Sequence, residues 1–348
     1  MAGTTTATTE FELIAKLRER LARGAAASGP AEIVAGSGDD AAITVPPGAT
    51  ATSVDLAVEG VHFRRQTATP RAIGHKALAA ALSDLAAMGA APGEAYVQLG
   101  LPEGFTESEC LELADGVAGV AAFSGVTVLG GDLSRASVLI VAVTVVGHAP
   151  AADALVTRAG AAAGDELFVT GELGGAAAGL LLLERPELAA GLPDELARGL
   201  RARQLEPVPR LAAGRALAEA GASAMIDVSD GIAGDAGHLA TASGVRAEIE
   251  AELLPLAPGV GDVARAAGRD PLELAASGGE DYELLVALPA ESAERAAAAG
   301  GAAGVTLRRV GRVVSGSGVS IRGRNGELEA RGFDQLHGPP PSDPGAPA

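Results

Sequence analysis

Between residues 10 and 23 the apolar positions Phe11, Ile14, Leu17 and Leu21 recur at helical spacing with charges opposite, which predicts an amphipathic helix. Two short apolar stretches follow, 41–45 and 50–56, separated by Pro46-Pro47-Gly48, and they read as a pair of strands across a turn. Over 71–88 small and apolar residues recur as on a buried helix, with Gly89 and Pro92 as its stop. A strand at 94–99, a helix at 107–123 and strands at 126–129 and 138–146 complete a first half that ends near Pro150. The second half alternates in the same way. It predicts a strand at 166–170, helices at 174–184 and 207–220, a short strand at 224–226 and a helix after Asp230-Gly231. Strands at 283–288, 306–314 and 318–322 follow. The expected fold class is α/β with mixed sheets, in two domains at 1–149 and 150–335. Residues 336–348 hold too much Pro and Gly to pack and read as a disordered tail.

Composition narrows the function classes. The formal charge of −18 disfavours the phosphate-backbone attraction behind nucleic-acid binding, and two Tyr, six Phe and no Trp leave few stacking platforms. Cys110 is the sole cysteine, so there is no intrachain disulfide and no Cys-x-x-Cys pair, and a cytoplasmic setting is expected. The N-terminal stretch lacks a basic segment followed by an apolar core, and no apolar run approaches the ~18 residues of a membrane span. The chain therefore reads as soluble, with neither nucleic acid nor membrane as partner.

Acidic residues sit beside glycines at the ends of apolar runs: Gly38-Asp39-Asp40, Ser53-Val54-Asp55, Leu82-Ser83-Asp84, Gly130-Gly131-Asp132, Asp227-Val228-Ser229-Asp230-Gly231 and Gly278-Gly279-Glu280-Asp281. Mg²⁺ is commonly held by a few carboxylates together with substrate phosphates, so the repetition points to phosphate chemistry. Taken singly, most of these motifs read equally well as turns, because Gly and Asp are turn residues. Asp84 falls late on a helix, where its charge opposes the macrodipole; a cation or a partner such as Arg71 would offset that. Gly130-Gly131-Asp132 puts a flexible backbone and one carboxylate at an expected strand end. In the Asp227 segment a helix cap from Ser229 or Asp230 explains one residue but not three oxygen donors within four positions. His62 reads either as a phosphate contact or, as a lone His more usually is, as a residue with a structural partner, and His75 as a helix-face residue. Neither of the two lysines, Lys16 and Lys76, belongs to a Gly-x-x-x-x-Gly-Lys-Ser/Thr loop, and protein-kinase signatures are absent.

In this order and spacing, Gly38-Asp39-Asp40-Ala41-Ala42, the segment Asp55 to Phe63, Leu82 to Gly89, Gly130-Gly131-Asp132, Asp227 to Gly231 and Ser277 to Leu284 resemble the thiamine-monophosphate kinases. That family lies within the aminoimidazole ribonucleotide synthetase superfamily of two-domain, ATP-using proteins. The resemblance spans about residue 10 to Phe333. It implies transfer of the ATP γ-phosphoryl to thiamine monophosphate, assisted by several Mg²⁺ ions. It implies metal ligation by Asp40, Ser53, Val54, Asp55, Asp84, Asp132, Asp227 and Asp230, with Val54 acting only through its main-chain oxygen, where a threonine often stands. Gly131, Asp132, Arg158 and Ser229 would touch ATP; His62, Glu280 and Phe333 would touch the acceptor. It also implies a homodimer through the N-terminal halves. The selenophosphate synthetases and hydrogenase-maturation members use a cysteine near one terminus, and this chain has none there. Two alternatives stay open: another ATP-dependent member of the superfamily, or a Mg-ATP-binding regulatory module without turnover.

The implied chemistry suits these residues. A phosphate monoester has a second pKa of about 6, so the acceptor oxygen is largely unprotonated at neutral pH and needs no general base. The obstacle is anion on anion, since two unit charges about 4 Å apart repel by roughly 1 kcal/mol even in water. Removing that repulsion is work for divalent cations, which leads to direct in-line transfer without a phosphoenzyme.

Overall fold

The computed structural model describes residues 9–23, 29–38, 41–324 and 326–333. The expected tail at 336–348 and the candidate ligand Asp40 lie outside the described residues. The chain divides into two compact units, one of 1–155 with 205–211, the other of 156–204 with 212–348.

In the first unit the described elements run α1 (Glu10–Arg23), β1 (Glu32–Ala35), β2 (Ile43–Val45), β3 (Ala49–Val58), α2 (Pro70–Ala87), β4 (Ala91–Leu101), α3 (Glu107–Ser124), β5 (Thr127–Arg135) and β6 (Ile140–Ala149). A four-stranded sheet has the order β3-β6-β4-β5, with β4 and β5 parallel and the other pairs antiparallel. Thr69 caps α2 ahead of Pro70, and Thr106 with Glu109 forms a capping box on α3, which ends at left-handed Gly125. The two helices pack closely because glycines stand where they cross. A Cβ at Gly74 would lie 2.1 Å from the Leu113 carbonyl oxygen, and one at Gly116 would lie 2.0 Å from that of Arg71. Cys110 is buried between α3 and the Leu17 face of α1, and burial pushes its thiol up to about 11.

Two expectations change here. The stretch containing β2 does not pair with β3 across Pro46-Pro47-Gly48; it pairs with β1, which the pattern did not predict. β3 instead matches β6 over its whole length, from Ala49 opposite Ala149 to Val58 opposite Ile140. Ten matched pairs outweigh a local hairpin of three. Second, Gly130-Gly131-Asp132 lies inside β5 rather than beyond a strand end, paired with Tyr96, Val97 and Gln98 of β4. Gly131 meets β4 so closely that a Cβ would sit 1.9 Å from the Val97 carbonyl oxygen.

In the second unit β7 (Glu166–Thr170) leads into α4 (Gly175–Glu184), α5 (Asp194–Leu205), α6 (Leu211–Glu219), β8 (Ala224–Asp227), α7 (Ile232–Ser243) and β9 (Arg246–Glu250). Then come α8 (Val260–Ala266), α9 (Pro271–Ser277), β10 (Leu284–Leu288), α10 (Ala293–Ala302), β11 (Leu307–Val314), β12 (Gly318–Gly323) and β13 (Gly326–Glu327). Among the described residues they form a mixed sheet ordered β13-β12-β9-β11-β7-β10-β8, with β9 and β12 parallel. β8 and β10 are buried throughout, which is why their apolar runs do not alternate. One cluster, including Val169, Ile226, Leu239, Ile249 and Leu285, packs α7 and α9 on the sheet; another, including Leu182, Leu200 and Val263, joins α4, α5 and α8.

The pattern did not predict α5, α8, α9, α10, β9 or β13. Arg246–Glu250 offers only Ala247 and Ile249 to the core, and α5 buries only Ala197, Leu200 and Gln204, stripes too thin to stand out in sequence. The helix expected at 207–220 begins at Leu211, because Pro207 and Pro209 cannot donate to a helical ladder. His75 holds this segment to the first unit, its Nε2 lying 2.9 Å from the Pro207 carbonyl oxygen.

Candidate active site

In the first unit the acids ride on regular elements. Strand alternation sends Ser53 and Asp55 to one face of β3 and Val54 to the other, where Val54 is 70% exposed. Asp84 stands in the last turn of α2, and the Ser53 hydroxyl donates to its carboxylate. Arg71 is not the partner that offsets Asp84; it pairs with Asp115 at 3.3 Å. Asp132 on β5 is exposed. His62, on the loop after β3, accepts at Nδ1 from the Val58 backbone N–H at 3.1 Å, and Lys76 donates to its carbonyl oxygen, also at 3.1 Å. A ring that accepts at Nδ1 carries its proton at Nε2, so His62 presents an N–H donor on that side.

In the second unit Asp227 rides on a strand end, and Asp230 and Glu280 ride on loops joined by backbone hydrogen bonds. Asp227 ends β8, and Val228 to Gly231 lead into α7. Neither Ser229 nor Asp230 caps that helix, contrary to expectation: the cap position is Gly231, at φ 102°, with no side-chain cap. Asp235, in the first turn of α7, instead ties the preceding loop to the helix by accepting from the Asp230 backbone N–H at 3.2 Å. Capping therefore does not account for the side chains of Ser229 and Asp230. Asp235 is itself buried; burial first, then the charges of Asp227 and Asp230, pushes its carboxyl up to about 8.

The 278–283 segment lies alongside this loop. Glu280 N–H donates to the Ser229 carbonyl at 2.8 Å, Tyr282 N–H to that of Val228 at 2.9 Å, and Val228 N–H to that of Glu283 at 2.7 Å. On the other side Phe333 N–H donates to the Asp230 carbonyl at 2.9 Å. The structure thus brings Asp227, Ser229, Asp230, Glu280 and Phe333 into one backbone-linked group. Arg158 stands elsewhere in this unit, exposed at the opposite end of α7, where Ser243 donates to its carbonyl at 3.1 Å.

Among the described residues no three His, Cys, Asp or Glu side chains converge into a metal cage. The donors present are hard oxygens from carboxylates and a hydroxyl, grouped as Ser53 with Asp55 and Asp84, and as Asp227 with Asp230. Such sets fit Mg²⁺, which keeps waters and takes substrate phosphates to complete its octahedron. Asp235 and Gln204 were not singled out by the sequence, and Asp281 appeared only within the acidic 278–281 motif, with no role of its own. The signal available for Asp235 was an acid in the first turn of the helix that follows an acid-rich loop; Gln204 gave none.

The AIR synthase related protein N-terminal domain matches residues 38–149, and the C-terminal domain of the same family matches 162–324. Thiamine-monophosphate kinase from Mycobacterium tuberculosis is 39% identical over 278 residues, 79% of this chain and 79% of that one. The chain belongs to the thiamine-monophosphate kinase family. A crystal structure of thiamine-monophosphate kinase from Stenotrophomonas maltophilia superimposes with a TM-score of 0.78 at 34% identity, covering 90% of this chain and 96% of that one. AaThiL complexed with AMPPCP and TMP gives a TM-score of 0.72 at 31% identity, covering 93% and 96%. The family's two-domain α/β fold is therefore shared along nearly the whole chain.

Proposed function

We infer that the chain catalyses ATP-dependent phosphorylation of thiamine monophosphate, giving thiamine diphosphate and ADP. Family membership supports the reaction, and the AMPPCP and TMP bound by AaThiL support the substrate pair. The observation from this chain that carries the reading is the backbone linkage in the second unit. Ser229, assigned to ATP, and Asp230, assigned to metal, hold through adjacent carbonyls the N–H groups of Glu280 and Phe333, assigned to the acceptor. One loop thus fixes donor-side and acceptor-side residues relative to each other, as in-line transfer requires.

In this reading Ser53, Asp55, Asp84, Asp227 and Asp230 hold Mg²⁺, joined by Asp40, Asp132 and the main-chain oxygen of Val54. Bound Mg²⁺ would supply the charge neutralisation that lets one phosphate anion approach another. Gly131, Asp132, Arg158 and Ser229 contact ATP. The Nε2–H of His62 donates to the acceptor, the Glu280 carboxylate attracts its thiazolium cation, and Phe333 packs on a ring. No residue is needed as a base, because the attacking phosphate oxygen is already ionised. The test is ADP release by the full chain with Mg²⁺ and ATP. ADP should form only when thiamine monophosphate is present, one thiamine diphosphate per ADP; acceptor-independent release would remove the reading.

A homodimer through the first unit is part of the same proposal. Val54, 70% exposed, and Leu56, 48% exposed, lie on the same face of β3, apolar surface of the kind association covers. Sedimentation should show one species of twice the 34.2 kDa chain mass, and a charge at Leu56 should shift it toward monomer. A wild-type monomer at micromolar concentration would refute this. Among the described residues no helix is long and apolar enough to cross a membrane. The cytoplasm is the setting we assign, consistent with a lone buried thiol.

A further inference from the structure

Asp281 has no role in the assignments above, yet both its carboxylate oxygens are engaged. The backbone N–H of Gly174 donates to one at 2.6 Å and that of Ala176 to the other at 2.9 Å. Gly174 is the N-cap residue of α4 and has no side chain with which to cap, so Asp281 caps this helix from 107 positions away. The residues on either side are conformationally unusual. Glu280, at φ 69°, and Tyr282, at φ 50°, are the two non-glycine residues with positive φ among the described residues. Such backbone is disfavoured for any residue with a Cβ and persists only where the surroundings over-determine it.

The surroundings do so here. The N–H groups of Glu280 and Tyr282 are bound to the Ser229 and Val228 carbonyls, and the Asp281 carboxylate between them is fixed to α4. Gly279 permits the approach, since a Cβ there would lie 2.4 Å from the Ser229 carbonyl oxygen. The outcome is one placement of the Glu280 side chain, whose carboxylate accepts from Gln204 Nε2 at 2.6 Å. Gln204 is buried on α5, and its Oε1 has no hydrogen-bond partner among the described residues. A helix cap alone needs none of this strain, because a serine or aspartate in the local sequence would serve.

We propose that Asp281 is a positioning residue for the acceptor: by capping α4 it holds Glu280 in its left-handed conformation and so sets where the Glu280 carboxylate meets the cationic substrate. The proposal rests on the reading of Glu280 as an acceptor contact. The test is steady-state kinetics of the full chain with Mg²⁺, ATP and thiamine monophosphate, for Asp281→Asn, Asp281→Glu and Glu280→Gln. Asn keeps one acceptor oxygen but turns an NH₂ toward the second N–H; Glu keeps the carboxyl group and displaces the loop by a methylene, a second variant should the first fail to fold. Each should raise the KM for thiamine monophosphate roughly tenfold, the order for losing one hydrogen bond to a charged group, while the KM for ATP stays within about twofold. Adding Asp281→Asn to Glu280→Gln should raise the acceptor KM no further. Equal increases for both substrates, or a lowered melting temperature with unaltered kinetics, would make Asp281 a structural cap only and overturn the proposal. An unaltered acceptor KM in Glu280→Gln would overturn the assignment of Glu280 and this proposal with it. A raised KM in Glu280→Gln beside wild-type Asp281 variants would overturn this proposal alone.

Discussion

The two units hold their acids differently. In the first, Ser53 and Asp55 project from a strand paired over ten positions, and Asp84 from an 18-residue helix, so their geometry is that of regular elements joined by a side-chain bond. In the second, Asp227 closes β8, while Ser229, Asp230 and Glu280 sit on loops whose precision comes from backbone bonds between them and from left-handed residues locked in place. The first arrangement depends on close packing beneath it. The second depends on a few anchors, and losing one moves several functional groups together.

That contrast can be broken most forcefully at the acids themselves. Asp84→Asn and Asp227→Asn should each lower kcat/KM by ~100-fold or more while far-UV circular dichroism stays native, the scale for removing one preorganised electrostatic contributor. Raising Mg²⁺ should recover part of the loss in both. If Asp227→Asn loses activity and Asp84→Asn does not, the Ser53, Asp55 and Asp84 group takes no part in the reaction and the two units are not parallel.

A smaller effect sharpens the same contrast. Gly116→Ala would drive a Cβ against the Arg71 carbonyl where α2 and α3 cross, and should cost about 1–3 kcal/mol of stability with substrate KM values little changed. Gly279→Ala meets the Ser229 carbonyl instead, and should raise the acceptor KM several-fold for a smaller fall in melting temperature. Thermal unfolding together with both KM values separates the cases. A Gly279→Ala protein that is merely less stable would show that the loops tolerate separation.

Much of the architecture was legible because periodicity reports burial. The helix expected at 10–23 stands there, and the helix expected at 71–88 and the strands expected at 224–226 and 283–288 fall within one residue of α2, β8 and β10. The errors share a cause. β2 was assigned to the nearest apolar neighbour although its partner is β1, and Gly130-Gly131-Asp132 read as a strand end although the parallel partner β4 continues β5 through it. Strand pairing is a long-range choice to which local pattern is blind. Gln204 and Asp235 escaped, and Asp281 stayed without a role, for a similar reason: each gains its meaning from a group on another segment, Glu280, the Asp230 backbone and the start of α4 respectively.

What the sequence by itself determined is the alternation of helices and strands, the family, and the inventory of oxygen donors, because side-chain chemistry and local periodicity are written residue by residue. Tertiary structure alone decided that Ser53 meets Asp84, that Ser229 and Asp230 hold Glu280 and Phe333, and that Asp281 caps a helix whose N-cap residue lies 107 positions earlier. Those are contacts between distant segments, stabilised only when the whole core closes, and no local propensity encodes them.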